Sequence, residues 1–181
     1  MEHQQAHGVL VEVLGLGVLI VGPSGVGKSE CGLELVARGH RLVADDVVRL
    51  TRGPDGGLVG AAPEVVRHYM EIRGLGLLYV PDLFGPGAVR DECRVDLVCR
   101  LERWREDQEY ERVGLERPVE TWLDVPLPLV VLPVRPAGSM ATLVEVAARD
   151  TRLRRTRSSA AVRLDERLRR RGASEQPEPR S

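Results

Sequence analysis

Residues 22 to 29 read Gly-Pro-Ser-Gly-Val-Gly-Lys-Ser, an unbroken G-x-x-x-x-G-K-[ST] phosphate loop, and Lys28 inside it is the only lysine among 181 residues. Every other basic side chain is arginine or histidine. A chain so committed to arginine keeps a lysine only where a compact ammonium on a flexible stem cannot be exchanged for a planar guanidinium. The phosphate loop is such a place, because its lysine inserts between the terminal phosphates of a nucleotide.

The flanking residues fit the motif. Gly17 to Val21 is a short apolar run that predicts a buried strand, and Ser29 to Arg38 predicts a helix stopped by Gly39. In that strand, loop, helix order the glycines let backbone N–H groups turn inward, and the helix N-terminus adds partial positive charge. Gly22, Pro23, Ser24, Gly25, Val26, Gly27, Lys28 and Ser29 are therefore the candidate nucleotide-binding residues. A glycine-rich turn that binds nothing is the competing reading, but a chance match to the four fixed positions is roughly a one per cent event at average glycine content.

The chain has the length of one ordinary domain with a sizeable core, expected over residues 1–171 with a flexible tail at 172–181. No apolar stretch approaches the length of a membrane span, and the opening Met-Glu-His-Gln-Gln lacks the features of a signal peptide. Cys31, Cys93 and Cys99 favour neither a disulfide framework nor a zinc site, so the default compartment is cytoplasmic. Ten arginines against three carboxylates give residues 149–171 a charge of +7, hidden within a net charge of −1. Without interleaved aromatic residues this run does not predict a nucleic-acid partner, and a solvated helical face competes with an acidic docking partner.

Further strands are expected at Val9 to Leu14, Arg41 to Ala44, Val47 to Thr51, Leu75 to Val80, Val95 to Glu102 and Leu129 to Val134. The turn at 52–57 closes a hairpin onto Leu58-Val-Gly, and Ser139 caps a helix reaching about Leu153. A basic helix follows at about 156–171. Mixed strands with few helices predict an α/β fold whose sheet is not purely parallel.

Phosphoryl transfer needs more than a phosphate loop, namely metal ligands and a group that activates the nucleophile. Asp45 and Asp46 follow the strand 41–44, at the carboxyl edge where the loop also lies. Adjacent carboxylates at a strand end point to different sides, so one can reach Mg²⁺ while the other faces an acceptor hydroxyl; a solvated turn is the competing reading. Eukaryotic-type protein kinase chemistry is set aside, since there is no Asp-Phe-Gly and no asparagine at all.

His7-Gly8, the loop with Glu30, Gly39-His-Arg-Leu-Val-Ala-Asp-Asp46, Glu71-Ile-Arg-Gly-Leu-Gly76, Phe84-Gly-Pro-Gly-Ala-Val-Arg90, Glu109-Tyr-Glu-Arg-Val-Gly114 and Pro133-Val-Arg-Pro136 occur in one order. In order and spacing the chain resembles, over residues 7–170, the catalytic domain of HPr kinase/phosphorylase. The resemblance implies a P-loop domain in the style of phosphoenolpyruvate carboxykinase, with a mixed sheet and flanking helices. It implies a bifunctional enzyme that uses ATP or pyrophosphate to phosphorylate a serine of the phosphocarrier protein HPr. The reverse reaction uses inorganic phosphate. Lys28 is then the phosphate-binding lysine, Ser29 a Mg²⁺ ligand, and Glu71 a second metal-site carboxylate beside Asp45. Asp46 becomes the general base, with His7 and Arg112 at the remaining active-site positions. A homo-oligomer, hexameric in the family resembled, is implied as well.

The sequence departs from the family pattern in three places. Most members carry an additional N-terminal domain, whereas this sequence starts six residues before His7, so a catalytic domain alone is expected. The common Gly-Arg-Asn after Pro136 is Ala137-Gly138-Ser139 here, and Arg157-Ser-Ser-Ala-Ala161 stands where Gly-Tyr-Asn-Ala-Ala is usual. The first change bears on the phosphorylase direction and the second on docking to HPr. Two other functions compete: an ATP-sensing module that binds a partner without turnover, and small-molecule phosphoryl transfer of the carboxykinase type.

Overall fold

The computed structural model describes residues 3–110, 114–135 and 138–174. Its strands are β1 (His3–Val13), β2 (Leu16–Val21), β3 (Arg41–Ala44), β4 (Val47–Arg52), β5 (Leu58–Ala61), β6 (Tyr69–Ile72), β7 (Gly76–Tyr79), β8 (Glu92–Arg103), β9 (Val119–Trp122) and β10 (Val125–Val134). The helices are α1 (Lys28–Ala37), α2 (Val80–Phe84), α3 (Met140–Arg154) and α4 (Ala160–Ser174). The fold is mixed α/β.

Two long strands organise the sheet by changing partners midway. The first half of β1 pairs with β4 and the second half with β2 and β3, while β8 pairs first with β5 and then with β2 and β10. Strands β1, β4, β5, β8 and β2 thus close on one another. Side-chain alternation then feeds two cores. Val9, Val11, Val18, Ile20, Leu97 and Cys99 face α1 and α3, whereas Leu10, Leu19, Val48, Leu50 and Val95 fill the space between the two halves of the sheet. Strands buried on both faces read as near-continuous apolar runs, as 16–21 does. Leu97 is fully buried, and truncating it to alanine is expected to cost about 2–5 kcal/mol.

Strand direction decides where the chemistry collects. β2, β8 and β10 are mutually parallel, and β3, antiparallel to β1 as β2 is, runs the same way. Their carboxyl ends therefore share one edge. Leaving that edge are the phosphate loop after β2, Asp45-Asp46 after β3, and Arg103 at the end of β8.

Helix α1 lies close to β1 because Gly32 presents no side chain: a Cβ there would stand 2.7 Å from Val9 Cγ1 and 3.4 Å from the Met70 methyl. The same contact brings the β6–β7 hairpin onto α1. At the other end of the chain Ser139 accepts the Thr142 N–H and caps α3, as the sequence predicts. Part of the arginine run is engaged in ion pairs, Arg154 with Asp150, which Arg117 also meets, Arg155 with Asp96 and Arg169 with Asp165.

Several boundaries differ from the sequence expectation. The 75–80 run is split: β7 ends at Tyr79, and Val80 with Pro81 starts α2, where a proline in the first turn loses no hydrogen bond. β1 begins at His3, six residues before the expected Val9, since pairing with β4 rather than an apolar pattern holds that end. The basic helix begins at Ala160, with the Ser159 hydroxyl accepting the Val162 N–H. β6 and β9 have no counterpart among the expected strands. The tail from residue 175 lies outside the described residues.

Candidate active site

The loop takes its shape from where its glycines stand. Gly22 has φ 151° and packs so tightly on β8 that a Cβ would lie 2.4 Å from the Leu101 carbonyl oxygen. Gly27, at φ 100°, sits at the N-cap of α1. Both conformations exclude ordinary side chains. Between them Val26 is buried in the core and anchors the loop, leaving Ser24 and Gly25 at the crest. Lys28 curls back over this loop, its Nζ donating to the carbonyls of Gly22 and Pro23 at 3.0 Å each.

Ser29 points the other way. Its hydroxyl donates to Asp45 Oδ1 at 2.7 Å, and Asp45 Oδ2 accepts the N–H of Glu71 at 3.1 Å. One buried carboxylate therefore joins the phosphate loop, the end of β3 and the β6–β7 hairpin. Burial pushes the Asp45 carboxyl above its usual range, and its hydrogen bonds, that of Ser29 first, oppose the shift.

Asp46 differs from its neighbour in every respect. It is exposed, and its φ of 64° lies in the left-handed region that aspartate tolerates better than most non-glycine residues. The bend is held from both sides, Val47 N–H donating to the Asp45 carbonyl at 2.8 Å and Gly8 N–H to the Asp46 carbonyl at 3.0 Å. It carries the chain from β3 to β4 and leaves the Asp46 carboxylate in the cleft. Together Ser24, Gly25, Lys28, Ser29, Asp45, Asp46, Glu71 and Arg73 line most of a polar cleft of about 290 Å³.

The structure thus brings Lys28, Ser29, Asp45, Asp46 and Glu71 together. Exposed His7 stands opposite Val47, beside Asp46 along the β1–β4 ladder, but does not line the cleft. Arg112 lies outside the described residues, as do Glu111, Val113, Pro136 and Ala137 of the quoted motifs. Arg73 and Arg103 also belong to the surroundings of the loop, and the sequence motifs do not assign them a role. A Cβ on Gly25 would lie 3.8 Å from a terminal nitrogen of each, and Arg103 donates to the Ser24 carbonyl at 3.3 Å. Arg73 was within reach of sequence reasoning, since it stands two residues after Glu71 in Glu-Ile-Arg-Gly-Leu-Gly.

The donor set suits a hard divalent cation. Hydroxyl and carboxylate oxygens from Ser29, Asp45 and Glu71 lie beside a phosphate loop, which is the way Mg²⁺ is held, by few protein ligands completed by substrate phosphate and water. Among the described residues no three His, Cys, Asp or Glu side chains form a cluster able to hold a metal by themselves.

Comparison with known proteins gives a consistent result. The HPr Serine kinase C-terminal domain family matches residues 1–168. HPr kinase/phosphorylase of Geobacillus kaustophilus is 52% identical over 162 residues, covering 90% of this chain and 52% of that protein. That of Caldanaerobacter subterraneus subsp. tengcongensis is 50% identical over 162 residues, covering 90% of this chain and 53% of the relative. The chain thus spans about half the length of the curated relatives it matches. The solved structure of the Hpr(Ser) kinase/phosphatase from Coxiella burnetii aligns with a TM-score of 0.76 at 33% identity, over 83% of this chain and 97% of that one. With its phosphate loop, paired aspartates and mixed sheet in this arrangement, the chain belongs to the HPr serine kinase C-terminal domain family.

Proposed function

We propose that the chain carries a bifunctional protein-serine kinase/phosphorylase site acting on the phosphocarrier HPr, with ATP or pyrophosphate as donor. The observation that carries this reading is the contrast at the paired aspartates. Asp45 is buried and bonded to Ser29, while Asp46 is exposed in the same cleft with its backbone in a left-handed conformation. A nucleotide sensor needs the loop and the first carboxylate. It has no use for a second carboxylate held in that conformation at a cost of about 1–3 kcal/mol.

In the kinase direction the serine oxygen of HPr attacks the terminal phosphorus. The bond from phosphorus to the bridging oxygen of the donor breaks, and Asp46 takes the serine proton. In reverse, an oxygen of inorganic phosphate attacks the phosphoserine phosphorus, the serine oxygen departs with a proton from Asp46, and pyrophosphate is released. The loop N–H groups and Lys28 bind the phosphates and carry their charge. Ser29, Asp45 and Glu71 would hold Mg²⁺, which supplies charge neutralisation on the transferring group. Arg112 is assigned, on family resemblance, to the same charge, and His7 to the acceptor side of Asp46. The reading carries with it a cytoplasmic homo-oligomer, hexameric by resemblance; among the described residues no helix is long and apolar enough to cross a membrane.

The test is label transfer. The chain, Mg²⁺, γ-labelled ATP and HPr from the same organism should yield phosphoserine on HPr, and phosphate should then release pyrophosphate from it. ATP binding with no transfer to any HPr serine would leave the sensor.

A further inference from the structure

Two guanidiniums come to the crest of the phosphate loop from different elements. Strand register explains the first. Val21, the last residue of β2, pairs with Arg100, so β8 continues three residues past that level and sets Arg103 alongside Ser24. The second comes from the turn of the β6–β7 hairpin, which Met70 holds against α1 and the Glu71 N–H ties to Asp45. A terminal nitrogen of each arginine stands 3.8 Å from where a Gly25 Cβ would be. Both side chains are exposed, and neither has an ion-pair partner among the described residues, whereas Arg38, Arg41, Arg90, Arg94, Arg100 and Arg117 are all paired with carboxylates. Like charges brought to one point repel, and an anion seated between them removes that cost.

We infer that Arg73 and Arg103 form a two-sided clamp on the condensed phosphate chain of the donor, and that this clamp, with the loop, recognises the donor by its phosphates. The inference rests on the phosphate-loop reading above. The cleft lining supports it further, since among the described residues that line it only Val9 and the loop glycines are apolar and the rest are polar or charged. Guanidinium forks suit phosphate oxygens, to which they can donate two parallel hydrogen bonds. Lys28 acts from within the loop, bonded to the Gly22 and Pro23 carbonyls, so the arginines add a second direction of approach.

The test is calorimetric binding of Mg²⁺-pyrophosphate and of Mg²⁺-ATP to the full chain. Arg73→Gln and Arg103→Gln should each weaken both ligands by about tenfold and by the same factor, as expected for loss of a hydrogen bond to a charged group. The lysine variants Arg73→Lys and Arg103→Lys should recover part of the loss. Arg52→Gln removes the same charge at the end of β4, about 16 Å along the strand from Val47, and should bind as wild type does. Should Lys28→Ala lose binding while Arg73→Gln and Arg103→Gln, and their lysine counterparts, match Arg52→Gln, the clamp is wrong and the loop reading stands. Weakening confined to ATP would overturn the clamp in favour of a contact to the nucleoside. Failure of the wild-type chain to bind either ligand would remove the loop reading itself, and the clamp with it.

Discussion

Ser29 and Asp45, sixteen positions apart, meet at 2.7 Å, hydroxyl to buried carboxylate. That contact couples the residue following the loop lysine to the end of β3. Through the second oxygen of Asp45 it also reaches the hairpin that carries Glu71 and Arg73.

Asp45→Ala should therefore act on both stability and activity. The Ser29 hydroxyl and the Glu71 N–H lose their acceptor, and a partly buried donor left unpaired costs about 1–3 kcal/mol. Urea unfolding would show a lower midpoint at unchanged slope. An unchanged midpoint would mean that water replaces the carboxylate and that the coupling is weak.

Much of this arrangement is legible in the sequence, and the remainder resists for physical reasons. The phosphate loop, its strand and its helix are local features, and the strand and helix expected at 17–21 and 29–38 form at 16–21 and 28–37. The β9–β10 hairpin gives no such signal. Its two turn residues, Leu123 and Asp124, adopt φ of 48° and 60° without a glycine to mark them. β6 is four residues long, too short for its alternation to stand out. Arg103 reaches the loop only because β8 outruns β2, a property of register between strands some eighty residues apart that no local spacing reveals. The unequal fates of Asp45 and Asp46 likewise depend on the Gly8 and Val47 N–H groups that fix the bend.

Glu71→Gln should raise the Mg²⁺ concentration needed for half-maximal activity and lower the rate in both directions, because a hard cation loses a charged ligand. The side chain is exposed, so the fold should be unaffected. An unchanged Mg²⁺ titration would take Glu71 out of the metal site.

Lys28→Arg should be severely impaired and Lys28→Ala inactive. The Lys28 ammonium fits between two carbonyls 3.0 Å away, a seat for a compact donor rather than a planar fork. Single-turnover phosphorylation by Lys28→Arg within a factor of about three of wild type, a barrier change under roughly 0.7 kcal/mol, would contradict this.

Glu145 on α3 accepts from His40 at 2.5 Å and from Arg38 at 2.9 Å, which ties the end of the loop helix to α3. Its carboxyl is held below the usual range, chiefly by the His40 hydrogen bond. A depressed carboxylate stabilises the fold above its unfolded value of about 4.3, and that stabilisation is lost as pH falls through the lower folded value. Glu145→Gln should thus lower the thermal midpoint at pH 7, and the difference from wild type should shrink toward zero as the pH is taken below 4. A difference that persists unchanged in acid would assign the effect to packing.

Asp46→Asn bears most directly on the claim that this cleft transfers phosphate to a protein serine. The measurement is made on one preparation with three readouts: the rate of HPr phosphorylation, the rate of phosphate-dependent dephosphorylation, and ATP affinity. Both rates should fall together by about 10² to 10⁴, the usual contribution of a general base, with ATP affinity unchanged. Retained transfer, or ATP binding lost in parallel with it, would contradict the account and move the search for the base to Asp45.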